Sequence, residues 1–181
     1  MTRVKKNIIL GVTASIAIYK ACELIRRLIK CDFNVQVVMT KEAEELIKPV
    51  VFQVLSGNRV YRGAVFEEQD IWEIEHVSLA QKADLILIAP ATANIIAKFG
   101  AGICDDLLTC TVCASKAKVL IAPAMNENMY NNKITQSNII KLKSSGYQFI
   151  APKKGLLACG AIGVGCLAEL DDIVTQVKKY I

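Results

Sequence analysis

Apolar and polar positions follow two different periods along the 181-residue chain. Asn7 to Val12 is an apolar run ended by a turn and reads as a buried strand. From Ala14 to Cys31 the apolar positions return every three or four residues. Leu24, Ile25, Leu28 and Ile29 fall on one stripe, which predicts an amphipathic helix. Phe33 to Met39 predicts a second strand, and Lys41 to Ile47 a short helix. Pro49 suits a first helical turn, so Pro49 to Leu55 reads as another helix, ended by Gly57. Residues 58–75 hold Glu67, Glu68, Asp70, Glu73 and Glu75 and read as an irregular, solvated loop.

Three later apolar runs end on the same tripeptide. Leu85-Ile86-Leu87, Lys118-Val119-Leu120 and Tyr147-Gln148-Phe149 each lead into Ile-Ala-Pro, at Pro90, Pro123 and Pro152. Proline has no N–H and ends a central strand. Helical stretches at 92–99, 105–114 and 133–145 separate the stops, and a last helix runs from Asp171 to Tyr180. Strands alternating with helices imply a parallel sheet with right-handed crossovers. The expected fold is α/β: a single-domain, Rossmann-like (flavodoxin-like) three-layer sandwich over residues 1–181. The proline stops then line the carboxyl edge of the sheet, where such folds bind ligands.

Composition narrows the chemistry. An apolar content of 53% with 22% charged residues excludes disorder. The net charge of +5 is dispersed, so no nucleic-acid footprint is expected, though it suits a phosphorylated small molecule. Seven cysteines form an odd, irregularly spaced set, which fits a reducing cytosol better than a disulfide scaffold. Cys110 and Cys113 form a lone CxxC in an apolar helix and read as core packing. Arg3, Lys5 and Lys6 before an apolar stretch mimic a signal peptide, but Gly11-Val12-Thr13 interrupts that stretch. No apolar run reaches the ~18 residues of a membrane span, so no membrane partner is expected. The single histidine confines imidazole chemistry to His76 and excludes a His-built metal centre; no metal is expected.

The first strand-to-helix turn, Gly11-Val12-Thr13-Ala14-Ser15-Ile16, is neither GxGxxG nor a P-loop. Its small residues and hydroxyls at a helix start suit a single phosphate, as on FMN; plain N-capping by Thr13 or Ser15 is an equal alternative. Ala91-Thr92-Ala93-Asn94 and Ala124-Met125-Asn126 follow the next two stops, and their small residues let a flat ring approach the backbone.

Several segments come in a telling order. They are Gly11 to Lys20, His76, Pro90 to Asn94, Gly102 to Leu108, Pro123 to Tyr130 (Pro-Ala-Met-Asn-Glu-Asn-Met-Tyr) and Ala158-Cys159-Gly160. Together they resemble the homo-oligomeric flavin-containing cysteine decarboxylases over nearly the whole chain. The resemblance implies non-covalent FMN, with Ala14, Ser15 and Ile16 at the phosphate and Thr40 nearby. It places Thr92, Ala93, Asn94, Ile95 and Ala124 along the flavin. It assigns His76 as base or orienter at the thiol, Asn126 as partner of the substrate carboxylate beside Met129, and Cys159 as proton donor. Ala158 and Gly160 flank Cys159 in a glycine-rich segment, Gly155 to Gly165, expected to be a mobile flap over the substrate.

The implied reaction takes 4′-phosphopantothenoylcysteine to 4′-phosphopantetheine, in coenzyme A biosynthesis. Loss of CO₂ from an N-acyl cysteine leaves an unstabilised carbanion, so an electron sink is needed. Oxidation at the carbon bearing sulfur gives a thioaldehyde, CO₂ leaves, and the resulting enethiol is reduced again. The family further implies a homotrimer or larger assembly, including a trimer-based dodecamer. Because the chain ends at Ile181, a separate phosphopantothenoylcysteine synthetase is expected, or the chain is cut from a bifunctional one. Ala161 stands where the family usually has Asp, Gly163-Val164-Gly165-Cys166 where Gly-Pro-Gly-Arg is frequent, and Tyr130 where Trp is usual. The alternatives are a peptidyl-cysteine decarboxylase, against which Cys159 argues, and a non-enzymatic flavin-binding regulator, against which His76, Asn126 and Cys159 argue together.

Overall fold

The computed structural model describes residues 5–63, 75–158 and 160–181. Its main sheet is formed by β1 (Asn7–Val12), β2 (Asn34–Met39), β3 (Leu85–Ala91), β4 (Lys118–Pro123) and β5 (Gln148–Phe149). All pairs are parallel, in the order β2-β1-β3-β4-β5. That is the flavodoxin-like order. The helices are α1 (Tyr19–Lys30), α2 (Lys41–Leu46), α3 (Pro49–Ser56), α4 (Glu75–Lys82), α5 (Ala93–Ala101), α6 (Leu107–Ala114), α7 (Glu127–Asn131), α8 (Lys133–Ser144) and α9 (Leu170–Tyr180).

Strands buried on both faces need continuous apolar runs, and β1 and β3 have them. Their alternate residues divide between two cores. Ile8, Leu10, Val12, Leu85 and Leu87 share one core with Leu24, Ile25 and Leu28 of α1, Phe52 of α3, and Ile173 and Val177 of α9. Ile9, Ile86 and Ile88 share the other with Ile95 and Ile96 of α5, Leu108 and Val112 of α6, and Ile139 and Leu142 of α8. Leu24, Ile25 and Leu28 are 0% exposed. Each such side chain contributes about 1.5–3 kcal/mol, so the apolar stripe of α1 fixes which face of that helix meets the sheet.

The structure departs from the periodic reading in four places. The helix expected from Ala14 begins at Tyr19, preceded by a short 3₁₀ turn at Ile16–Ile18, because residues 13–15 are engaged with neighbouring strand ends. β3 runs past its proline to Ala91. Proline removes a donor but not the acceptors around it: the Pro90 carbonyl accepts from Thr13 and the Ala91 carbonyl from Ala124 N–H. Within the expected loop at 58–75, Tyr61 bonds the outer edge of β2 through Met39 N–H and Val37 O, and Glu75 opens α4. An acid in a first helical turn suits the helix dipole. The rest of that acidic stretch, 64–74, lies outside the described residues.

The fourth departure is the glycine-rich segment. It forms an antiparallel hairpin, β6 (Lys153–Leu156) with β7 (Ile162–Cys166), where the sequence pattern predicts no strand. Its glycines hide the strand pattern because they carry no side chain to alternate. Gly165 sits at φ +152°, where a side chain would run into the Met125 carbonyl, so the hairpin lies directly on the chain that leaves β4.

Candidate active site

The strand order reverses between β1 and β3: the crossover from β1 leads to β2, and that from β3 leads to β4 on the other side. Such a switch point opens a crevice at the carboxyl ends of the strands. A cavity of about 720 Å³ lies there, within the size range of cofactor and ligand pockets. Its floor is Ala14, Ser15, Ile16 and Ala17 after β1, Thr92 and Ala93 after β3, and Ala124 after β4. Asn126 and Met129 border it from α7 and its cap, and Lys20 and Tyr19 from the first turn of α1. Leu156, Leu157, Ala158, Gly160, Gly165 and Cys166 roof it from the hairpin.

The two hydroxyls of the first turn are committed to the frame. Thr13, 1% exposed, donates from Oγ1 to the Pro90 carbonyl at 2.7 Å and accepts from Thr92 N–H at 3.1 Å. It staples the β1 end to the β3 end across the switch point. Ser15 Oγ donates to the Ala124 carbonyl at 3.0 Å and accepts from Ala17 N–H at 3.3 Å, capping the 3₁₀ turn. Of the two readings of this loop, Ser15 takes the capping one, and Thr13 takes neither. What the loop still offers an anion is the backbone: the amides of Ala14 and Ile16 make none of the hydrogen bonds seen among the described residues.

Thr92 caps α5, accepting from Ile95 N–H at 3.3 Å. Asn126 caps α7, accepting from Asn128 N–H at 2.9 Å through Oδ1. The cap orients that amide so that its NH₂ is the end turned away from the helix. Met129 is 49% exposed at the cavity border. Lys20 is the cation of the cavity lining, its ammonium 5.9 Å from the Tyr19 ring centre.

The structure therefore gathers Ala14, Ser15, Ile16, Thr92, Ala93, Ala124, Asn126, Met129, Ala158 and Gly160 around one cavity. It does not bring four others to it. Thr40 is buried at the end of β2, where its N–H bonds the Val12 carbonyl at 3.1 Å. Asn94 is exposed on α5, and the Ile95 side chain is in the core. His76 is half-buried on α4, its Nδ1 enclosed without a hydrogen-bond partner among the described residues. Cys159 lies outside the described residues. Lys20 and Tyr19 close the Gly11 to Lys20 segment, but the sequence assigns them no site role and does not single out the leucines of the hairpin; the position of Lys20 one turn beyond the Ser15 loop is the signal that could have flagged it.

The CxxC is not core packing as a pair: Cys113 is exposed and Cys110 half-buried. Cys110 Sγ donates to the Cys104 carbonyl at 3.3 Å, and Cys104 Sγ donates to the Gly102 carbonyl at 3.8 Å. Desolvation, then the Cys113 contact, pushes the Cys104 thiol up to about 11, so it is a poor nucleophile near neutral pH. Among the described residues no group of three or more His, Cys, Asp or Glu side chains could hold a metal ion. No helix among them is long and apolar enough to cross a membrane.

A family model described as Flavoprotein matches residues 1–181. The chain is 46% identical over 178 residues to a probable phosphopantothenoylcysteine decarboxylase of Streptococcus mutans, covering 97% of this chain and 99% of that protein. It is also 46% identical over 175 residues to the coenzyme A biosynthesis bifunctional protein CoaBC of Bacillus subtilis, covering 97% of this chain and 43% of that one. The chain thus spans less than half the length of the bifunctional relatives it matches. Among solved structures, a PPC decarboxylase mutant complexed with pantothenoylaminoethenethiol superposes with a TM-score of 0.86 at 29% identity, covering 98% of each chain. The FMN binding protein AtHal3 superposes with a TM-score of 0.83 at 30% identity, covering 98% of this chain and 97% of that one.

Proposed function

Because the chain belongs to the flavoprotein family, we propose that its 181 residues form one FMN-binding domain that decarboxylates 4′-phosphopantothenoylcysteine to 4′-phosphopantetheine in coenzyme A biosynthesis. The observation that carries this reading is the switch-point cavity, which sets an anion-ready backbone turn, small-residue walls and the Asn126 amide around one space.

The site fits FMN. Ala14, Ala93 and Ala124 put little more than backbone on the cavity walls, as a flat ring needs, and the amides of Ala14 and Ile16 suit a monophosphate. Ala14, Ser15 and Ile16 would hold the phosphate end, and Thr92, Ala93 and Ala124 the ring. Bound there, FMN supplies the two-electron sink and source that lets a cysteine carboxylate leave as CO₂. Asn94 and His76, outside the cavity of one copy, keep their expected roles in a site that a neighbouring copy completes, whereas the buried Thr40 and Ile95 side chains support the frame behind it. A homotrimer or higher assembly is supported by the outer face of α3, where Val50 and Val54 are 60% and 76% exposed while Phe52 faces the core.

The chain's own groups then have distinct tasks. The Asn126 NH₂ donates to the substrate carboxylate and holds it against the cavity wall. Lys20 attracts anionic substrate in a lining that is otherwise mainly apolar. Met129 and the hairpin leucines exclude water from the scissile bond. His76 takes the thiol proton. Cys159 returns a proton to carbon as the enethiol is reduced.

The test offers purified protein 4′-phosphopantothenoylcysteine and, separately, a peptide ending in cysteine, with mass spectrometry following loss of CO₂ and regain of two hydrogens. The reading predicts a yellow protein that converts the first to the saturated thiol and leaves the peptide intact. Peptide turnover, or a protein that neither carries nor takes up FMN, overturns it.

A further inference from the structure

Glu127 directly follows Asn126, yet its side chain turns away from the cavity toward the hairpin. Its Oε1 accepts the Val164 N–H at 3.0 Å. A Cβ built on Gly163 would lie 2.6 Å from the Glu127 Cδ, so the carboxylate rests on the bare backbone of β7. One rung further, Met125 N–H donates to the Gly165 carbonyl at 2.9 Å. β6 covers one edge of β7. On the other edge the segment 125–127 supplies a backbone donor and then a side-chain acceptor, so Glu127 replaces the carbonyl that a third strand would have offered.

We propose that Glu127 is a positioning residue that latches the β6–β7 hairpin to α7 and so sets the cavity roof in register with Asn126. The Glu127 carboxylate thus ties the first turn of α7 to the backbone of β7. Its residues Leu156 to Ala158 and Gly160 roof the space that Asn126 borders. Releasing the carboxylate leaves the Val164 N–H without its acceptor and lets the roof move against the carboxylate-binding amide. The consequence for turnover rests on the decarboxylase reading; the latch itself does not.

The test compares Glu127→Ala, Glu127→Gln and Gly163→Ala in the FMN-loaded protein, by hydrogen exchange at the Val164 amide, bound FMN, and steady-state kinetics. Losing a hydrogen bond to a charged acceptor corresponds to roughly a tenfold change. Glu127→Ala should lose about tenfold in Val164 protection and in kcat/KM, chiefly through KM, with FMN content unchanged. Glu127→Gln keeps an acceptor oxygen and should restore most of both. Gly163→Ala drives a methyl into the carboxylate, reproduces the loss from the other side, and should add little on top of Glu127→Ala. Wild-type exchange and KM in Glu127→Ala, loosened exchange with unchanged KM, or a Gln variant as impaired as Ala overturns the proposal. A misfolded Glu127→Ala leaves the decision to the Gln and Gly163→Ala arms. If even the wild type fails to turn over substrate, the decarboxylase reading falls while Val164 exchange still decides the latch.

Discussion

Thr13→Val puts the switch point itself under test. Valine keeps the branched shape of threonine and removes only the oxygen. That oxygen serves two backbone groups from the other side of the crevice, the Pro90 carbonyl at 2.7 Å and the Thr92 N–H at 3.1 Å, 77 and 79 residues away. Thr13 is 1% exposed, so water does not take the place of the hydroxyl. A buried polar group left unpaired costs about 1–3 kcal/mol. The Pro90 carbonyl bears that in full, while Thr92 is only half-buried and its N–H recovers part through solvent. The sum is about 2–4 kcal/mol, or roughly 5–15 °C in Tm for a chain of this size. Thermal and urea unfolding followed by far-UV circular dichroism measure it, with Thr13→Ser as the control that keeps both bonds. Because Thr92 and Ala93 line the cavity, the valine variant should also retain less FMN after desalting. A valine variant within about 0.5 kcal/mol of wild type, the usual scatter of neutral changes, or a serine variant as weak as valine, refutes the staple.

Asn126→Asp keeps a good N-cap for α7 but turns a donor into a second anion beside the substrate carboxylate. It should retain FMN and lose decarboxylation by about a hundredfold or more, the scale set by removing one stabilising donor and adding repulsion; turnover near wild type removes Asn126 from the reaction. Cys159→Ser should still release CO₂ but accumulate unsaturated thiol, detected by mass spectrometry, and normal 4′-phosphopantetheine output contradicts the proton-donor role. Iodoacetamide should modify Cys104 slowly near pH 8 and much faster as the pH rises toward 11, since the thiolate forms only as its raised pKa is approached. Peptide mapping across that range reads the rate, and a fast, pH-independent reaction would contradict the raised thiol.

The frame was legible because burial on both faces leaves a strong mark. The runs at Ile8 to Val12 and Leu85 to Ala91 are uninterrupted, and proline punctuates three carboxyl ends at one edge of the sheet. Where a residue's job is local, sequence spacing found it: Asn126 three residues past Pro123 is both a helix cap and a cavity border. The hairpin escaped because its signal is backbone. Glycines at 155, 163 and 165 erase the alternation that reveals a strand, yet they are there because the Glu127 carboxylate, the Cys166 thiol and the Met125 carbonyl approach so closely.

The residues that escaped share one property, and it bears on how the site works. Thr13 suits a phosphate donor or an N-cap equally from its place in the turn, but its partners are at Pro90 and Thr92. Glu127 carries no role of its own in the pattern of the Pro123 to Tyr130 segment, and its partner is at Val164. Both are short polar side chains whose bonds cross between elements far apart in sequence, so no local pattern can disclose them. Each holds a wall of the cavity: one fixes the floor between β1 and β3, the other fixes the roof above α7. Position 126 lies between those walls and is tied to both, through the chain to Glu127 and through Ala124, whose carbonyl takes the Ser15 hydroxyl. The Asn126 amide is thus placed by its own cap bond to Asn128 N–H and by the two walls on either side of it. Loosening either wall should blur its position before it disturbs the fold, so variants at Thr13 and Glu127 should lose catalytic efficiency at temperatures where circular dichroism still reports a folded chain.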